Sequence, residues 1–76
     1  MLKELIALRE FAKRADQNMR DPVAVRVQFD GYRQMRFCRL QLNRLWLKTL
    51  QGNPEEAKEV REERDRVHRR IREFDW

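Results

Sequence analysis

Apolar residues recur every seven positions through the middle of this chain. Ala24, Gly31, Cys38 and Leu45 form one row, and Met35, Leu42 and Thr49 form the row offset to it. Two such rows make one stripe along a helix, of the kind that packs against neighbouring helices. The first half of the stripe is lined by small residues, which lets another helix come close. The punctuation agrees with this reading. Asp21 can act as an N-cap, Pro22 suits the first helical position, and Gly52 suits the position just past the end. The pattern therefore predicts a long helix over residues 22–51. Gly31 inside it costs about 1 kcal/mol relative to Ala.

A second reading competes for the same stretch. Val23, Val25, Val27 and Phe29 alternate with other residues as one face of a strand would, and Asp30-Gly31 makes a good hairpin turn. With a bulge at Gly31, Met35 and Phe37 would share a face with the three valines, giving an α+β fold with a hairpin at residues 23–37. An isolated two-stranded ribbon is marginal in water, however, and it would break the seven-residue seam at its middle. The helix is favoured.

The flanking segments are also helical by pattern. Over about residues 2–19, Leu5, Leu8, Ala12, Ala15 and Met19 follow the 3-4 spacing, with Leu2, Ile6 and Phe11 widening the apolar face. Over about residues 54–74, Ala57, Val60, Val67, Ile71 and Phe74 hold a heptad in which Arg64 fills one core-type position. Asn53-Pro54-Glu55-Glu56 opens that helix with a cap, a starter and two carboxylates facing the helix dipole. Glu10–Arg14, Glu62–Arg66 and Asp65–Arg69 are spaced for surface pairing. Trp76 stands apart as a lone aromatic, either frayed or docked on something. Turns at residues 20–21 and 52–53 are short enough to force antiparallel neighbours. The expected fold is all-α, a three-helix antiparallel bundle with a long central helix, and residues 1–76 form a single domain.

Composition supports this reading. Hydrophobic and charged residues each make up 41% of the chain. That much charge with periodic apolar positions suits long amphipathic helices rather than disorder. The net charge of +5 is concentrated in the middle: residues 21–52 carry six basic side chains against two acidic ones. A basic balance of this kind fits nucleic acid or an acidic protein surface, and also simple solubility.

Chemistry is notable for what is missing. The chain has one His, one Tyr, one Cys and no Ser. His68 lies among Arg64, Arg69 and Arg72, where positive charge disfavours metal binding. Glu62 and Glu63 read as solvent-facing helix residues, not as a buried acid/base pair. No Gly-rich phosphate loop, CxxC or HExxH occurs. Cys38 lies on the seam and reads as a small buried apolar residue. No enzyme activity, cofactor, metal or small-molecule substrate is expected. No apolar run is long enough to span a membrane, and no signal peptide is evident, so a cytoplasmic protein is the expectation.

One mismatch points outward. A helix over residues 22–51 is roughly 45 Å long at about 1.5 Å per residue, longer than either neighbour. It also carries a second apolar stripe, Val25, Phe29, Leu40 and Leu47, more than 100° from the seam, with Trp46 and Leu50 between the two. Such a stripe predicts a protein interface, with Trp46 as anchor and Arg33, Arg36 and Arg44 as polar rim. The expected partner is a second copy, giving a homodimer, or a larger protein. The alternative is nucleic-acid binding through Arg26, Arg33, Arg44 and Lys48, with Phe37 available to stack. No helix-turn-helix spacing or RNA-binding motif accompanies them.

Overall fold

A computed structural model describes residues 2–74 and places them in three helices: α1 (Lys3–Met19), α2 (Val25–Leu50) and α3 (Pro54–Phe74). No strand occurs among the described residues, so the hairpin at 23–37 is not formed and the fold is all-α. Trp76 lies outside the described residues. Helices α1 and α3 both pack against α2 and touch each other only slightly. Each runs antiparallel to α2: Cys38 meets Leu8 while Gly31 meets Ala15, and Asn43 meets Arg64 while Phe29 meets Phe74. The result is a flattened slab of 44 × 23 × 13 Å.

The seam read from the heptad is the core. Gly31, Met35, Cys38, Leu42, Leu45 and Thr49 are the buried residues of α2. Leu5, Ala12, Ala15 and Met19 face them from α1, and Ala57, Val60, Val67 and Ile71 from α3. Leu8 is only half-buried, although its carbonyl accepts a hydrogen bond from the Cys38 thiol at 3.4 Å. Thr49 belongs in an apolar seam because its hydroxyl donates back to the Leu45 carbonyl at 2.9 Å, which leaves no orphaned donor.

Gly31 explains why the helix wins over the hairpin. A Cβ at this position would lie 2.6 Å from the Ala15 carbonyl oxygen, 2.7 Å from the Met19 nitrogen and 2.8 Å from the Asn18 Cβ. The main chains of α1 and α2 are therefore in contact here. A glycine that looks like a turn residue serves instead as the place where two helices touch.

Two helix ends differ from the expectation. Helix α2 begins at Val25, not Pro22, and Asp21 is not its N-cap. Asp21 Oδ1 accepts the N–H groups of both Val23 and Ala24 at 2.9 Å, holding a turn that precedes the helix. Those two bonds keep the Asp21 carboxyl below the usual carboxylate range. Ala24 occupies the cap position with extended backbone and no side-chain cap, and the Gln28 amide reaches back to the Asp21 carbonyl. The connection thus runs from Arg20 to Ala24, longer than the turn expected at 20–21. At the other end, Gly52 does follow the helix, but its φ is not positive. The Gly52 and Asn53 N–H groups instead both bond the Thr49 carbonyl, at 3.2 and 2.8 Å. The start of α3 is as the motif implied: Asn53 Oδ1 accepts from the Glu55 and Glu56 N–H groups.

The charge pattern also rearranges. Glu63, expected to face solvent, is buried, at 8% exposure. It accepts from Arg66 Nε at 2.7 Å and lies 3.8 Å from Arg9 Nε across on α1. Arg66 therefore pairs with Glu63 and Asp65 with Arg64, rather than each at the expected i,i+4 spacing. Asp16 of α1 likewise bridges to Arg70 of α3. Ion pairs thus bridge the two outer helices directly, while the main chains of α1 and α3 approach each other only slightly.

Cys38 is fully buried. Burial pushes its thiol up from 9.0 to about 11, and the nearby Glu63 carboxylate adds to the shift. The thiolate is thus disfavoured in the fold, and alkylation at mildly alkaline pH should proceed only as fast as the protein unfolds. The raised pKa stabilises the fold fully below about 9, and that contribution is lost as pH rises toward 11. Cys38→Ala should flatten that part of the stability-against-pH curve, measured by urea titration at each pH. An unchanged curve would show that other groups carry the alkaline loss.

Candidate docking surface on the central helix

Because α1 and α3 both pack against the seam of α2, most of the opposite face of α2 is left outward, with the end of α3 reaching it only at Phe29. The second apolar stripe lies there. Val25 is 60% exposed, Phe29 42%, Leu40 48% and Leu47 51%. Arg33, Arg36 and Arg44, the expected rim, are all exposed beside these residues. Leu50 and Phe37 are about half-exposed as well. These side chains are large and apolar, and they follow one another along a single helix rather than being scattered.

Two members of the predicted site behave differently. Trp46 is not on this face. It is half-buried against α3, where the Arg64 guanidinium carbon sits 4.6 Å from its ring centroid. Trp46 is therefore a packing residue of the α2–α3 contact, not an exposed anchor. The reason lies in Arg64, which sits at a core-type position of α3 and lays its guanidinium over the indole while its Nη1 donates to Asn43 Oδ1 at 3.1 Å. Phe29, at the other end of the stripe, meets Phe74 edge-on at 6.2 Å, so the end of α3 clads part of it.

The basic set is exposed as a group: Arg26, Arg33, Arg44 and Lys48 all lie at the surface of α2. Phe37, expected among them as a stacking platform, has one edge engaged by Phe11 at 6.0 Å. Arg36 stacks near the Tyr32 ring, 5.8 Å from its centroid.

Between α2 and α3 the surface opens into a groove of about 720 Å³. Phe37 and Leu40 supply apolar surface, Arg33, Arg36 and Arg39 line it from α2, and Arg64, Asp65 and His68 line it from α3. Arg39 donates to His68 Nδ1 at 3.1 Å, and a guanidinium can only donate, so Nδ1 is the acceptor. Asp65 is engaged by Arg64 at 3.3 Å. The groove is accordingly rich in positive charge, with apolar surface from Phe37 and Leu40 among it. Its only carboxylate is already paired.

Asn43, Arg39 and His68 were absent from the predicted site. A signal for Asn43 was present: Phe29, Arg33, Arg36, Leu40, Asn43, Leu47 and Leu50 continue one 3-4 spacing along α2. That row is visible once polar residues are admitted to a seam. Arg39 and His68 join only through the packing of α3 and have no such signature.

Among the described residues no cluster of His, Cys, Asp or Glu could hold a metal ion, and no helix is long and apolar enough to cross a membrane. Comparison with known protein families, curated proteins and solved structures finds no match in any of the three.

Proposed function

We propose that this chain is a small helical docking module that binds another protein through the outer face of α2. The observation that carries this reading is the row Val25, Leu40 and Leu47, each between 48% and 60% exposed on the outer face of α2, with Phe29 continuing it where it meets Phe74 of α3. Large exposed apolar side chains gathered on one helix face mark interaction sites. Arg33 and Arg36 fall within the row between Phe29 and Leu40, and Arg44 flanks it, supplying the polar groups that such sites carry. The whole row lies on a rigid helix, so it can present a fixed shape without folding on contact.

The test is a double variant, Leu40→Asp with Leu47→Asp. Both side chains are about half-exposed, so the fold should keep its melting curve. Solution mass by sedimentation and association with partner proteins should both be compared with the unmodified chain. The reading expects an association that the double variant loses. A protein that is a strict monomer, with associations unaffected by the two aspartates, would retire it.

Nucleic-acid binding stands as the second reading, on the joint exposure of Arg26, Arg33, Arg44 and Lys48. Phosphate contacts make such binding fall steeply with salt. Titration with duplex and single-stranded oligonucleotides at low and high salt tests it, and absence of binding at low salt removes it. The leucines at the centre of the face weigh against it, since aliphatic side chains gain little against phosphates.

A further inference from the structure

We propose that the occupant of the outer α2 face is an acidic amphipathic helix of a partner protein. This rests on the docking reading above and goes further by assigning the partner's chemistry.

The shape of the occupant follows from the spacing. Phe29, Arg33, Arg36, Leu40, Asn43, Leu47 and Leu50 form a second heptad seam on the side of α2 opposite its core. The row spans roughly 30 Å at about 1.5 Å per residue. Knob positions at alternating three- and four-residue steps are matched by another helix lying alongside, not by a strand or a loop.

The charge of the occupant follows from two positions in that row. Arg33 and Arg36 are adjacent seam residues, so a helix laid along the seam takes both guanidiniums out of water. Burying them unpaired is costly, and carboxylates opposite them remove that cost. Arg39 on the groove wall adds positive charge beside them, and the one carboxylate lining the groove, Asp65, is already taken by Arg64. The partner helix therefore carries Glu or Asp against Arg33 and Arg36, and apolar residues against Leu40, Leu47 and Leu50.

A second copy of the chain does not meet that requirement through its own α2 row. Antiparallel two-fold pairing about Leu40 sets Arg33 against Leu47 and Arg36 against Asn43 and Arg44. The one carboxylate in α2 is Asp30, which is off the row, so no register supplies a partner for both arginines. Like charges brought together across an interface select against that pairing. Nucleic acid would satisfy the arginines but leave Leu40, Leu47 and Leu50 without apolar contact.

The probe is a synthetic amphipathic helix of about four heptads, with a leucine seam and glutamate at two consecutive seam positions. Versions with glutamine or lysine at those two positions, and a single-stranded oligonucleotide, serve as comparisons. Binding is read by fluorescence anisotropy at low and high salt. The glutamate peptide should bind roughly tenfold or more tightly than the glutamine peptide, and added salt should narrow the gap. Arg33→Glu with Arg36→Glu should reverse the preference toward the lysine peptide, and Leu40→Asp should abolish binding of all three.

Equal affinity for the glutamate and glutamine peptides overturns the acidic assignment. So does tighter binding of the oligonucleotide through the same residues. A dimer in sedimentation that Leu40→Asp dissociates also overturns it, but leaves the docking reading intact. Monomeric protein that binds none of the probes in a Leu40-dependent way removes both.

Discussion

Replacing Gly31 by Val should remove most of the stability of this protein. The Cβ alone would come within 2.6 to 2.8 Å of three α1 atoms, two of them main-chain atoms that cannot rotate away. For Gly31→Ala, the gain in helix propensity is about 1 kcal/mol. Overpacking a tight contact costs typically about 1–3 kcal/mol, and contact with main chain belongs at the upper end. Alanine should therefore lose up to about 2 kcal/mol net, despite being the better helix former. Valine adds two methyl groups to the same collision and forfeits most of the propensity gain. A domain of this size has in all something like 4–11 kcal/mol. Urea denaturation followed by far-UV circular dichroism checks the series, with stability expected to fall in the order Gly, Ala, Val. If Gly31→Ala were stabilising, the close approach of α1 and α2 would not hold.

Leu42→Ala should cost about 2–5 kcal/mol, whereas Leu40→Asp, two residues away, should change stability by about 0.5 kcal/mol or less. The contrast comes from which face of α2 each residue occupies. Leu42 is fully buried with Leu5, Cys38 and Val60 at the centre of the slab, while Leu40 points to the opposite side and is 48% exposed. Truncating the first leaves a cavity lined by side chains from three helices. Changing the second alters a side chain that is already about half in water and leaves no cavity. Thermal melts of the two variants side by side provide the measurement. A large loss from Leu40→Asp would mean that this face is already covered in solution, by another copy of the chain. That result would favour self-association over an acidic partner.

Some of the fold could be read before any coordinates, and the reason is specific. Six of the seven seam residues of the central helix, Gly31 through Thr49, are its buried residues. A heptad reports which residues share a face, because residues seven apart do so wherever the neighbours lie, and the face with the small and apolar residues is the one that turned inward. The opening of α3 was also legible, since Asn53 acts on N–H groups two and three residues on, a purely local event. Local signals misled at Asp21-Pro22. There the same carboxylate that could cap a helix holds a preceding turn instead, and the residue before a proline is biased away from helical backbone.

The exposed row of Phe29, Leu40 and Leu47 was legible as a stripe, because its angular distance from the seam follows from residue number. Whether the neighbours would wrap around to cover it did not follow. That depended on α1 and α3 both choosing the seam side and lying along its two edges, joined to each other by Arg9–Glu63 and Asp16–Arg70. Periodicity along one helix contains no information about the angle between two others. For the same reason Trp46 was misplaced and Glu63 misread, since each is buried by a side chain from a different helix. The amino-acid sequence by itself determined that three amphipathic helices form and which face of each turns inward. Tertiary structure alone decided which outward faces stay bare, because that depends on contacts between residues more than fifteen positions apart, as between Arg9 and Glu63 or Arg64 and Asn43.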